Sequence, residues 1–91
     1  MTIAIYALSG DPITYGHIDI IERASKAFEK LIVAIGENPA KKYTLNSKER
    51  LNVAKQSLSH IENIEFCIFD GLLADFAFEN KVDFIIRGVR V

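Results

Sequence analysis

The stretch Ile3-Ala4-Ile5-Tyr6-Ala7-Leu8-Ser9-Gly10-Asp11-Pro12-Ile13-Thr14-Tyr15-Gly16-His17 decides how this chain is read. Ile3 to Leu8 is a short, almost unbroken apolar run, which predicts a buried strand. Ser9 to Tyr15 carries a glycine and an Asp-Pro pair, the punctuation of a loop. From Gly16 to about Phe28 the apolar positions Ile18, Ile21, Ala24 and Phe28 fall on one face of a helix. A strand that hands over through a glycine-containing loop to a helix is the opening half of a βαβ unit.

The pattern repeats outward. Leu31 to Ile35 predicts a second strand and Gly36 to Asn46 a loop with Pro39 and two lysines. Ser47 to about His60 predicts a second helix, with Leu51, Ala54 and Leu58 on one face and Asn46 and Glu49 as a capping box. Ile64 to Phe69 predicts a third strand, Leu72 to Asn80 a short third helix, and Phe84 to Ile86 a fourth strand that ends at Arg87-Gly88. Strands alternating with helices predict an α/β fold: a Rossmann-like open parallel sheet with helices on both faces.

Composition narrows the class. The 91 residues are 49% hydrophobic and 25% charged, the balance of one globular domain. The net charge of -1 argues against a duplex-binding protein, so no nucleic-acid partner is expected. The single cysteine, Cys67, has no partner for an internal disulfide and reads as a small apolar residue inside a strand. No apolar run reaches the ~18 residues of a membrane span, and the N-terminal residues do not have the pattern of a signal peptide. No membrane association is expected, and the expected setting is cytoplasmic.

In open parallel sheets, ligands bind outside the carboxyl ends of the strands. Here those ends are Ser9-Gly10-Asp11, Gly36 to Lys42, Phe69 to Leu73 and Arg87 to Arg90. Apart from Asp11, Glu37 and Asp70 they are neutral or cationic, which suits a polyanionic small molecule such as a nucleotide. Gly10 permits unusual backbone angles, and Gly16 sits where a phosphate can approach a helix N-terminus. His17 in the first turn can donate a hydrogen bond to that anion. On spacing alone, the segment reads equally well as an ordinary turn followed by a polar first-turn histidine. Lys41 and Lys42 read equally as a solvated pair, Arg90 as a solvated end and Leu73 as core. His60 reads as a complement to a helix dipole. Tyr15 and Tyr43 have the chemistry to stack on an adenine.

Taken together, DPITYGHIDIIERA (11–24), ENPAKK (37–42), SKER (47–50), GLLADFA (71–77) and IIRGVR (85–90) resemble, in order and spacing, the bacterial phosphopantetheine adenylyltransferase family. That family is a branch of the nucleotidyltransferases marked by a His-x-Gly-His or Thr-x-Gly-His signature; Thr14-Tyr15-Gly16-His17 matches the Thr form. The resemblance implies transfer of AMP from ATP to 4′-phosphopantetheine, giving dephospho-coenzyme A and pyrophosphate, with Mg2+ assisting. It implies that His17 is catalytic and contacts the ATP phosphates. It implies that Ser9 and Gly10 contact ATP, Ser9 also the acceptor, and that Gly88, Val89 and Arg90 line the ATP site. Lys41 and Arg87 would bind the acceptor phosphate, and Leu73 would line the pantetheine arm. No protein metal ligand is implied, and the family's intact enzyme is a hexamer.

Two departures stand out. The family's glycine before the hydroxyl residue is Leu8 here, its threonine is Ser9, and its following phenylalanine is Gly10. The family's domain is also longer, of the order of 150 residues. The resemblance therefore implies that residues 1–91 are the N-terminal part of one nucleotidyltransferase domain, truncated after Arg87-Gly88-Val89-Arg90, with weak catalysis at best. Alternatives are a sister nucleotidyltransferase with another acceptor, or a non-catalytic nucleotide-binding fragment.

Overall fold

Ile3–Leu8 forms β1 and pairs in parallel on both sides, with Lys30–Glu37 (β2) and with Phe84–Ile86 (β4). The computed structural model describes residues 2–38, 42–70 and 73–86, the side chains of Leu73 and Ala74 excepted. Ile64–Asp70 (β3) pairs with the far side of β2, so the sheet order is β3-β2-β1-β4 with every pairing parallel. The connecting helices are Tyr15–Ala27 (α1), Ser47–Ser57 (α2) and Leu73–Glu79 (α3). The strands and helices alternate as the sequence predicts.

The two inner strands explain the apolar runs. Alternate residues Ala4, Tyr6, Leu31, Val33 and Ile35 face one cluster, which they share with Ile21 and Ala24 of α1 and with Ala54 and Leu58 near α2. Their neighbours Ile5, Ile32 and Ala34 face the other way, toward Ala77 and Phe76 of α3. Thus α1 and α2 cover one face and α3 the opposite face. The chain builds leftward from β1 to β3 and then crosses back to the far side of β1, as paired right-handed crossovers require. The reversal falls between β1 and β4, the place where such sheets hold ligands.

Several boundaries differ from the sequence reading. β2 runs to Glu37 because Gly36 and Glu37 continue the ladder opposite Phe69 and Asp70. α2 ends at Ser57, and residues 58–60 form a turn in which Ile61 N–H donates to the Leu58 carbonyl. His60 lies in that turn, and its Nε2 sits 2.8 Å from Glu22 of α1, so it bridges two elements rather than complementing a helix end. The carboxyl end of α1 is closed by Asn63, whose side-chain amide donates to the carbonyls of Ser25 and Phe28 at 2.7 and 3.0 Å. At the rim of the sheet, β4 leaves Phe84 and Ile85 half exposed, with the Phe84 ring against Phe28.

Candidate functional site

At the carboxyl end of β1 the backbone turns sharply. Gly10 has φ +61°, and a Cβ there would lie 3.1 Å from Ile35 Cδ1. Both facts require glycine: an L side chain is strained at this φ, and the space is already taken. Leu8 packs its side chain against the α1/α2 core and also lines the cleft beyond β1.

Four residues on, Thr14 caps α1. The His17 N–H donates to Thr14 Oγ1, and the Thr14 N–H donates back to His17 Nδ1 at 3.1 Å. This is a reciprocal capping box with an imidazole where a glutamate or glutamine usually sits. Because Nδ1 accepts, a neutral His17 carries its proton on Nε2, which makes that nitrogen a hydrogen-bond donor. The imidazole is further placed against the Tyr6 ring, with centroids 6.5 Å apart. Burial pushes the Tyr6 hydroxyl above its ordinary pKa.

The first turn of α1 contains no acidic residue. Its leading N–H groups have no intrahelical acceptors by helix geometry, so they and the helix dipole favour an anion. A Cβ on Gly16 would meet only Thr14 Oγ1, at 3.7 Å, so the backbone there is open to close approach. A hydrogen-bond donor on His17, an uncrowded helix start and a glycine turn together can hold and polarise a phosphate.

Beside this turn lies a cleft of about 250 Å³ among Ala7, Leu8, Ser9, Gly36, Glu37, Asn38, Tyr43 and Phe69. It opens at the carboxyl ends of β1, β2 and β3, with apolar and polar walls. A larger depression of about 450 Å³, between Glu22, Lys26, His60 and Glu62, lies at the opposite end of the strands. The smaller cleft is the candidate site, because the carboxyl ends of β1, β2 and β3 meet there; a depression of about 420 Å³ among Ile13, Thr14, Tyr15, Ile18 and Ser57 adjoins the start of α1.

The loops around the cleft are cross-tied. The Asp11 carboxylate accepts from the Thr44 and Leu45 N–H groups at 2.7 and 2.8 Å. Arg50 of α2 is fully buried; its Nη1 donates to the carbonyls of Ser9 and Gly36, both at 2.8 Å, and its Nε to that of Leu45. Sequence reasoning missed Arg50, since a charged residue on a helix reads as solvated. Its signal is its place in the SKER motif (47–50), which carries the resemblance without a role for the arginine. Tyr43 does not stand ready for an adenine: its ring stacks 3.8 Å from the Arg50 guanidinium carbon. Tyr15 is 90% exposed beside the α1 start.

Of the sequence-predicted site residues, the structure brings Ser9, Gly10 and His17 to one end of the sheet. Lys41, Arg87, Gly88, Val89 and Arg90 lie outside the described residues. Leu73 opens α3, its side chain likewise outside. Lys42 is exposed. Among the described residues no group of three or more His, Cys, Asp or Glu comes together to hold a metal ion. Asp11 and Glu37, the carboxylates nearest the cleft, are engaged with backbone amides and with Arg50. Burial and the neighbouring Glu65 push the Cys67 thiol up, which lowers the fraction of reactive thiolate.

With this geometry in view, the sequence profile of the cytidylyltransferase-like family matches residues 9–91. The chain belongs to the cytidylyltransferase-like family. It is 50% identical over 86 residues to phosphopantetheine adenylyltransferase of Haemophilus ducreyi, covering 94% of this chain and 53% of that protein. It is 48% identical over 90 residues to the enzyme of the same name from Clostridium beijerinckii, covering 99% and 57%. The chain thus spans a little over half the length of these curated relatives. Two solved structures share the fold. The lipopolysaccharide core biosynthesis protein of Thermoplasma volcanium superposes with a TM-score of 0.72 at 19% identity, covering 93% of this chain and 72% of that one. Protein Rv1636 of Mycobacterium tuberculosis superposes at 0.65 and 24% identity, covering 92% and 68%. Among the described residues no helix is long and apolar enough to cross a membrane.

Proposed function

We propose that this chain carries the phosphate-handling part of an adenylyltransferase that moves AMP from ATP to 4′-phosphopantetheine. The observation that carries the reading is the Thr14–His17 box, which assigns the imidazole proton to Nε2 at an uncrowded, acid-free helix start. The names of relatives at 50% and 48% identity support the choice of acceptor.

In this reading an oxygen of the acceptor's 4′-phosphate attacks the α-phosphorus of ATP in line. A new P–O bond forms, the bond to the β-phosphate bridge breaks, and pyrophosphate leaves with the released electron pair. His17 donates from Nε2 to the phosphate oxygens on which charge grows, while the α1 backbone amides hold the chain of phosphates. The Ser9 hydroxyl contacts both substrates and Gly10 lets the nucleotide lie close to the turn. Lys41 and Arg87 grip the acceptor phosphate, Leu73 borders the pantetheine arm, and Gly88, Val89 and Arg90 line the ATP site. Catalysis here is positioning and charge stabilisation, with no covalent enzyme intermediate. Mg2+ travels with the ATP phosphates rather than on protein carboxylates. The whole protein works in the cytoplasm as a homo-oligomer, a hexamer in this family.

The test is calorimetry and pyrophosphate release with the 91-residue chain. ATP and phosphopantetheine bind, and nicotinamide mononucleotide and cytidylyl acceptors do not. His17→Ala lowers turnover by about 10²–10³-fold while changing ATP affinity much less. Equal losses in both reduce His17 to a substrate anchor. Binding without any turnover supports the non-catalytic fragment instead. No binding of either substrate overturns the reading.

A further inference from the structure

Arg50 is the largest fully buried side chain of the described residues, and it does not serve the core. Its guanidinium gathers three backbone carbonyls from three separate segments: Ser9 after β1, Gly36 in β2 and Leu45 before α2. Its Nη2 makes no hydrogen bond among the described residues, although Glu37 Oε2 lies 3.4 Å away. A buried guanidinium with incomplete hydrogen bonding is costly. An apolar side chain there would strand those three carbonyls, so Arg50 joins the segments, and its incompletely bonded guanidinium asks for a further role.

The Tyr43 ring, stacked on the guanidinium, supplies one. Its hydroxyl accepts from the Asn38 N–H at 3.0 Å, so the residue ties the chain just after β2 to the segment that leads into α2. Ser9, Gly36, Glu37, Asn38 and Tyr43 all line the 250 Å³ cleft, and each is bonded to, ion-paired with or stacked on Arg50, or one contact removed from it. Arg50 itself does not line the cleft. We propose that Arg50 and Tyr43 are positioning residues that set the width of this cleft for the acceptor, by clamping the segment 43–46 against the Ser9 turn. The proposal rests on the proposed function, in which Ser9, a wall of this cleft, contacts the acceptor. It adds a specificity device that acts through the loop backbone. The stack uses the flat guanidinium, whose planar face lies on the ring while Nε and Nη1 reach Leu45, Ser9 and Gly36; a lysine ammonium has no such face.

The chain and three variants are compared by hydrogen exchange without ligand and by calorimetry with ATP and with phosphopantetheine. Tyr43→Leu keeps bulk but removes the ring, and its half-buried loop position spares the core. Its melting temperature stays within a few degrees, and exchange at the Thr44 and Leu45 amides quickens by about tenfold. Its phosphopantetheine affinity falls by about tenfold with ATP affinity held within about twofold. Tyr43→Phe keeps the ring and restores the acceptor affinity to within about threefold of the starting chain. Arg50→Lys moves exchange and acceptor affinity in the same direction as Tyr43→Leu, and further. A folded Tyr43→Leu with unchanged exchange and acceptor affinity overturns the proposal, and so does an equal loss for both ligands. If the unaltered chain binds no phosphopantetheine, the reading of the site falls, and the exchange data alone then decide whether the clamp exists.

Discussion

The two helices of the first face begin with the same device and put it to opposite use. α1 is capped by Thr14 with His17 bonding back, and α2 by Asn46 with Glu49 bonding back. The bonds are equivalent: each cap side chain accepts from the third helical N–H, and each third side chain accepts from the cap N–H. The charge is not. Glu49 places a carboxylate in the first turn of α2, where it answers the helix dipole from within. His17 meets the same hydrogen-bond need without a carboxylate, and the first turn of α1 holds no acidic residue of its own to answer the dipole. One start is a finished piece of structure, and the other has room for someone else's negative charge.

The sharpest way to break that contrast is to make the two starts alike. His17→Glu gives α1 the cap of α2: the fold persists, and ATP affinity measured by calorimetry falls by about a hundredfold, or about 2.7 kcal/mol. Unchanged affinity would mean that the α1 start is as closed as that of α2. Gly10→Ala attacks the turn that leads into α1. At φ +61° and 3.1 Å from Ile35 Cδ1 it destabilises the chain by about 2 kcal/mol in urea unfolding. Asn46→Ala removes the α2 cap at a cost of about 1 kcal/mol and leaves ATP affinity unchanged, because that cap is structural.

The smallest effect is a difference in response to alkali. Tyr6 beneath His17 has its pKa raised by burial above the ordinary 10.0. The folded state therefore holds its proton more tightly than the unfolded state. Its contribution to stability is complete below pH 10 and is lost as pH rises through the higher, folded value. Tyr6→Phe flattens that part of the stability curve, while substitutions in the α2 cap leave it as it was. Thermal melts between pH 8 and 11 read the difference.

How much of this the sequence could show follows from the same pair. Asn46 and Glu49 match the usual cap pattern, so the start of α2 was legible. Thr14 and His17 form an equivalent cap, but an imidazole is not what the pattern looks for, so its geometry was hidden although the residues were noticed. The apolar runs of β1 and β2 announced buried parallel strands because both faces are covered. The last two residues of β2, Gly36 and Glu37, looked like loop, since only pairing with β3 makes them strand. Arg50 was illegible for the same reason on a larger scale. Two of its carbonyl partners lie 41 and 14 residues away in sequence, and no local rule joins them. Of the candidate site, Ser9, Gly10 and His17 could be found by motif, whereas Tyr43 needed the structure to show what it touches.

The order β3-β2-β1-β4 also has a consequence in time. The first three strands assemble through near neighbours along the chain. The other edge of β1, by contrast, is covered only when Asp83 exchanges hydrogen bonds with Ile3, 80 residues away. Closing so long a loop costs entropy that short-range contacts do not, so the pairing of β1 with β4 is the late event of folding. Pulse-labelled exchange during refolding would then show β4 amides gaining protection after those of β2. The cleft at the carboxyl ends of β1, β2 and β3 contains no β4 residue, so on this schedule its walls exist before the sheet is finished.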